Sequence, residues 1–137
     1  MKNELICAIL VSFLLISTGL TQGKWKVAVT HAGDDTLGKQ LVQKLNGELT
    51  KSSNFLLVSQ EEAVMTVHVR SLDIGDPRGE TSICSVAFAM QLPNRMDASF
   101  CDHTVLRFVK PDVDETVSDL LSTILRICKK CIGANGQ

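Results

Sequence analysis

The 14 residues from Thr81 to Asn94, TSICSVAFAMQLPN, contain no charged side chain. Side chains of a strand alternate between faces, so Cys84, Val86, Phe88, Met90 and Leu92 share one side while Ser85, Ala87, Ala89 and Gln91 share the other. One face is bulky and the other small. A strand uncharged on both sides requires cover on both, which predicts a position inside a sheet with the bulky face beneath helices.

Ahead of this strand, Met1 to Glu4 is a short polar lead with one Lys, followed by 19 uncharged residues from Leu5 to Gly23. The apolar run LICAILVSFLLISTGL and the small residues of Ser17-Thr18-Gly19 and Thr21-Gln22-Gly23 have the make-up of a secretory signal. Residues 1–23 are therefore expected to be a signal peptide cut near Gly19 or Gly23, with an uncleaved membrane anchor over residues 5–23 as the alternative. Cys7 lies within the apolar run and not behind a small-residue cleavage box, so lipidation there is not expected. Residues 24–133 are expected to form a single domain and residues 134–137 a frayed tail. The expected location is exported, periplasmic or secreted.

Composition narrows the partner class. The formal net charge is −1 and Tyr is absent, which offers neither a basic field nor a set of stacking aromatics, so nucleic acid is not expected. Cys84, Cys101, Cys128 and Cys131 remain after removal of the leader. An even number of cysteines in an oxidising compartment makes disulfides plausible, and four allow three connectivities.

The remaining elements follow in order. Trp25 to Thr30, WKVAVT, alternates as a first strand, and His31-Ala32-Gly33-Asp34-Asp35 turns the chain. Asp34, Asp35 or Thr36 can cap a helix in which Leu37, Leu41, Leu45 and Leu49 recur every fourth residue, widened by Val42. Gly38 and Gly47 each weaken that helix by about 1 kcal/mol relative to Ala, so its stability must come from docking. Phe55 to Ser59 is a second strand, parallel to the first through the crossover helix, and Val64 to Leu72 a third. The turn-rich Asp73 to Glu80 folds the third strand back on the uncharged one, and Cys101 to Lys110 completes an antiparallel meander. Pro111 and Asp112, with Glu115 in a capping-box position, open a last helix whose buried stripe is Val117, Leu120, Leu121, Ile124, Leu125 and Cys128. Lys129 and Lys130 suit its C-terminal end, and Gly133 stops it. The expected architecture is α+β, a two-layer α/β sandwich in the order β-α-β-β-β-β-α with both helices on one face of a mixed sheet.

In the VAVT of the first strand, the Asp34-Asp35 helix start and the run FLLVSQEEAVMTVHV, the chain resembles the small bacterial envelope domains of the TolB N-terminus and of the CsgG and LpoB class of assembly proteins. The resemblance spans most of the mature chain and implies a two-layer domain of the cell envelope. The chain departs from that pattern in having no lipobox cysteine and in its four thiols.

The sharpest local signal for chemistry is Cys128-Lys129-Lys130-Cys131. A redox CxxC stands at a helix N-terminus, where the dipole favours thiolate; this one stands at a C-terminus, where only the two lysines favour it. A thiol–disulfide oxidoreductase at Cys128 and Cys131 is the alternative to structural cysteines. Cys101 and His103 share one side of a strand and with Cys128 and Cys131 form an alternative tetrahedral metal set. Asp73, Asp76 and Glu80 lack the regular ligand spacing of a calcium loop and read as a solvated turn, His31 as a turn residue and His68 as an exposed strand residue. Because Met96 to Ser99 reads as loop, Cys101 is expected opposite Met90, leaving Cys84 buried and alone. That favours a disulfide from Cys101 to Cys128 or Cys131.

With no phosphate loop, paired catalytic carboxylates or Ser-His-Asp order in the sequence, an enzyme is not the expected reading and no cofactor is expected. The expected function is an exported, non-catalytic binding or assembly module of the cell envelope with a protein partner, touching a membrane only if its N-terminal segment is retained. Its contact surface is expected on the open sheet face, through Thr66, His68 and Arg70, and on the following loop, through Asp73, Asp76 and Arg78.

Overall fold

A computed structural model describes residues 23–75, 78–91 and 98–133. The expected signal segment up to residue 22, Asp76 and the tail 134–137 lie outside the described residues. Five strands form one open mixed sheet: β1 (Trp25–Ala32), β2 (Phe55–Leu57), β3 (Met65–Asp73), β4 (Thr81–Gln91) and β5 (Ala98–Val109), in the order β2-β1-β3-β4-β5. Two helices, α1 (Thr36–Lys51) and α2 (Val113–Gly133), cover one side. This is the α+β layout expected from the residue pattern. Among the described residues no helix is long and apolar enough to cross a membrane.

β4 is interior, between β3 and β5. Cys84, Val86, Phe88 and Met90 are each at most 1% exposed, in one core with Leu41, Leu45, Leu49, Leu120 and Ile124 of the helices. Burying one side chain the size of Phe88 contributes about 2–3 kcal/mol, so β4 carries a large part of the core's stability. Among the described residues no second layer covers its small face, where cover was expected: Ser85, Ala87 and Ala89 are half-buried, shielded by taller neighbours on β3 and β5. Small side chains lie low between taller ones, which is why a chargeless strand tolerates this open side.

Asp35 is the cap of α1, its carboxylate accepting the Gly38 N–H at 2.7 Å. The four leucines of the stripe are all buried. α2 begins differently from expectation: the chain enters through a 3-10 turn at Lys110–Asp112 that has no side-chain cap, and Thr116 Oγ1 donates to Asp112 O at 2.8 Å. Its buried side extends to Val113 and Ile127, with Leu121 and Leu125 only partly buried.

β1 pairs in parallel with both β2 and β3. Parallel strands normally need a long return, yet residues 58–64 suffice here to join β2 and β3, which flank β1 on either side. β2 ends beside Val27, the level at which Met65 of β3 begins, so the chain steps across without descending again. Val58 N and Val64 N donate to Val27 O and Lys26 O, at 3.0 and 2.9 Å, and fasten that step.

Between β4 and β5 the register shifts: Phe88 faces Asp102 and Ala89 faces Phe100, leaving Cys101 as the extra residue of a bulge. Met90 pairs with Ser99, which corrects the expected Cys101 to Met90 pairing. Pairing starts at Ala98, so the strand takes up residues that read as loop. Cys84 faces Leu106 and is buried apart from Cys101, as expected.

Candidate functional site

The face of the sheet turned away from the two helices is built from alternate residues of all five strands. Register places Thr30, His68, Ala87 and His103 in one row across β1, β3, β4 and β5. His68 Nδ1 shares a hydrogen bond with Thr30 Oγ1 at 2.8 Å, and His103 Nε2 shares one with Ser85 Oγ at 2.9 Å. Each imidazole is thereby steered by a hydroxyl one strand away. His68 is half-buried and partnered, in place of the exposed residue expected, and Thr66 beside it is buried. A shallow hollow of about 400 Å³ opens over Thr30, His68, Arg70, Ser85 and Ala87.

Large apolar side chains stand at the margins of this face. Leu56 on β2, Leu72 at the end of β3, and Phe100 and Val105 on β5 are 46%, 66%, 68% and 62% exposed. A folded monomer exposes single apolar residues freely, but a group gathered on one side marks a contact surface. The sequence reading missed Phe100, Val105, Lys26 and Arg107, although the alternation of β5 places Val105 and Arg107 on the side of His103.

Of the loop residues expected to join this surface, neither of the two that are described does. Asp73 stands on the alternate side of β3, where its Oδ1 accepts the Gly75 N–H at 2.9 Å and closes the turn. Arg78 lines a hollow of about 190 Å³ with Thr36, Leu37, Gln40, Gly79 and Lys110, beside the start of α1. Asp76 lies outside the described residues. Thr66, His68 and Arg70 are brought together; Asp73 and Arg78 are not part of that group.

The cysteines cluster on the other side of the sheet. The bulge turns Cys101 towards α2, where its thiol meets that of Cys131. Cys128 Sγ points into the core at Met65 Sδ, 3.9 Å away. No disulfide joins the four described cysteines, so the expected link from Cys101 to Cys128 or Cys131 is replaced by a thiol–thiol contact between Cys101 and Cys131. Burial pushes the Cys101 and Cys84 thiols up to about 11 and that of Cys128 to about 12. The metal set fails on geometry, because His103 is bonded to Ser85 on the open face while the cysteines lie beneath the helices; no metal-holding group occurs among the described residues.

A second polar group closes the C-terminal end of β1. His31, a strand residue and not a turn residue, shares a 2.7 Å hydrogen bond between its Nε2 and Ser71 Oγ. Ser82 Oγ donates to Asp35 at 2.7 Å. Burial alone raises the Asp35 carboxyl, but the neighbouring Ser71 hydroxyl and hydrogen bonds from Ser82 and the Gly38 amide outweigh it and hold it below its ordinary value. Ser71 is 4% exposed and Ser82 fully buried, so these groups tie β3 and β4 to the start of α1. Gly33 and Gly38 both pack so closely on Ser71 that a methyl at either would strike it, and Gly33 has a φ of 139° that only glycine adopts readily. The arrangement is a structural clasp.

Comparison with known proteins adds a partial likeness. No protein-family model matches the chain, and no curated protein matches it. The solved structure of a hypothetical protein from Chlamydia trachomatis is similar over 61% of this chain and 70% of that one, at 15% identity and a TM-score of 0.41.

Proposed function

We propose that the chain is an exported, non-catalytic binding or assembly module of the cell envelope, and that its contact surface is the open sheet face. The observation that carries this reading is the gathering of Leu56, Leu72, Phe100 and Val105 around a low, small-residue centre that no helix among the described residues covers. The N-terminal apolar run of the sequence supports export, and the resemblance to envelope assembly domains supports the compartment. The exposure of Phe100 and Val105 favours a partner lying over β4 and β5, with Arg70 within the same surface.

The alternative, a thiol oxidoreductase at Cys128 and Cys131, requires an attacking thiolate and an accessible disulfide. Cys128 is fully buried with its thiol raised to about 12, which opposes both requirements. The binding reading is therefore preferred.

Site-specific photo-crosslinking in intact cells tests it. A crosslinking residue at Phe100 is expected to capture a discrete partner, whereas one at the exposed Asp119 of α2 is not. Equal capture from both positions, or none from Phe100 under any growth condition, overturns the assignment.

A further inference from the structure

The open face is a trough with a cationic end, and its shape and charge together specify an occupant. Its floor is made of Ala28 and Thr30 of β1, Thr66 and the half-buried His68 of β3, and Ser85, Ala87 and Ala89 of β4, while Arg70 and Leu72 of β3 stand exposed towards one end. Ala28 and Thr66, 3% and 8% exposed, are sunk below their neighbours. One rim is formed by Leu56 and Lys26 on β2 and β1, the other by Phe100, His103 and Val105 on β5. Three strand spacings separate β1 from β5, about 14 Å, which accommodates one α-helix of about 10 Å diameter lying along the strands.

An extended segment added to a sheet edge is a poorer fit. β2 has only three residues. β5 is interrupted by the Cys101 bulge, and the His103 N–H is already taken by Asp102 Oδ1 at 2.8 Å. Bulges, short strands and occupied edge amides are the features by which edges resist further pairing. The face, not an edge, is the available surface.

Charge selects among helices. The strand residues of this face include the exposed cations Lys26, Arg70 and Arg107. They include no carboxylate: Asp73 and Asp102 stand on the alternate positions, Asp102 engaged with Arg126 of α2 at 3.2 Å. Glu61 of the crossing loop lines a hollow with Gln91, at the opposite end of the face from Arg70 and Arg107. Arg70 faces Ser85 and Arg107 faces Ile83, two positions apart along β4, so both cations stand towards the same end of the face with no acidic strand residue between them. Two copies stacked face to face with their strands in the same direction would set these cations against each other.

We infer that the trough takes an acidic amphipathic helix of a partner protein, with a stripe of Ala and Leu on the small-residue floor, apolar flanks against Phe100 and Val105, and carboxylates over Arg70 and Arg107. This rests on the reading of the open face as the contact surface. Arginine is suited to the task because its fork binds a carboxylate through two parallel hydrogen bonds.

The probe is a stapled 18-residue helix with an Ala/Leu stripe flanked by Glu, titrated by fluorescence anisotropy into the full chain purified from cells, beside the same helix with Lys in place of Glu. The acidic helix is expected to bind at least tenfold more tightly than the basic one. The double variant Arg70→Glu with Arg107→Glu is expected to lose that preference while its thermal midpoint stays within a few degrees. Equal binding of both helices, an unchanged preference in the variant, preferential binding of phosphatidylglycerol vesicles, or self-association abolished by Val105→Asp each overturns the inference. Capture of a partner from Phe100 in cells, without binding of the acidic helix, refutes the helix while leaving the contact surface intact.

Discussion

The two glycines inside α1 are expected to respond to the same substitution with opposite signs. In a helix interior, Gly to Ala stabilises by about 1 kcal/mol through the unfolded chain's lost freedom and the helix's better solvation. Gly47 realises this gain: a methyl built there meets nothing within 4 Å, and the residue borders a hollow of about 530 Å³ between the helices. Gly38 does not. A methyl built there runs into both Cβ and Oγ of Ser71 and comes within 2.8 Å of Asp35 Oδ1. Ser71 has little room to retreat, being 4% exposed with Gly33 packed against it and His31 bonded to it. Overpacking costs about 1–3 kcal/mol and disturbance of the Asp35 cap about 1 kcal/mol more, against the gain of about 1 kcal/mol. Gly38→Ala is therefore expected to destabilise by about 1–3 kcal/mol while Gly47→Ala stabilises by up to about 1 kcal/mol. Urea unfolding followed by circular dichroism reads both as midpoint shifts at constant slope. Adding Ser71→Gly to Gly38→Ala is expected to recover part of the loss. Stabilisation by both single substitutions would refute the close contact of α1 with β3.

Acid sensitivity follows from the clasp. The Asp35 carboxyl is held below its ordinary value, so its contribution is present above the unfolded value of about 4 and is lost as pH falls through the lower folded value. The urea midpoint of Asp35→Asn is expected to fall less between pH 5 and pH 2 than that of the native chain; parallel curves would contradict this. The raised thiols act in the opposite direction. Cys84 and Cys128, raised to about 11 and about 12, favour the fold below pH of about 9 and withdraw that support as pH rises further. Under reducing conditions at pH 8, iodoacetamide is expected to label neither until the chain is unfolded, as peptide mass spectrometry reports; rapid native labelling of Cys128 would revive the redox alternative.

The order of elements was legible because the bulky residues of β4 and the leucines of α1 keep strict periods of two and about four, and tertiary packing obeys both. What eluded the sequence depends on register. A bulge adds one residue without a composition of its own, so nothing in SFCDH marks Cys101 as the residue left over. From that single shift follow the turn of Cys101 towards Cys131 and the placing of Asp102 near Arg126. The partners of His68 and His103 lie 38 residues earlier and 18 residues earlier in the chain, beyond any local pattern. Gly38 was read by propensity alone, which is blind to the serine packed against it. Thr66, His68 and Arg70 were found because alternation assigns them to one side, whereas Arg78 follows a turn whose direction alternation does not fix.

The open sheet face as the contact surface is tested most directly by its exposed apolar residues. With the crosslinker held at Phe100, Leu72→Asp and Val105→Asp remove apolar contact at positions 66% and 62% exposed, where the fold itself loses little. The measurement is the yield of crosslinked complex from intact cells, taken beside the thermal midpoint of the purified variant. Loss of most of the complex with a nearly unchanged midpoint is expected. Full yield from the doubly substituted chain would contradict the assignment of this face.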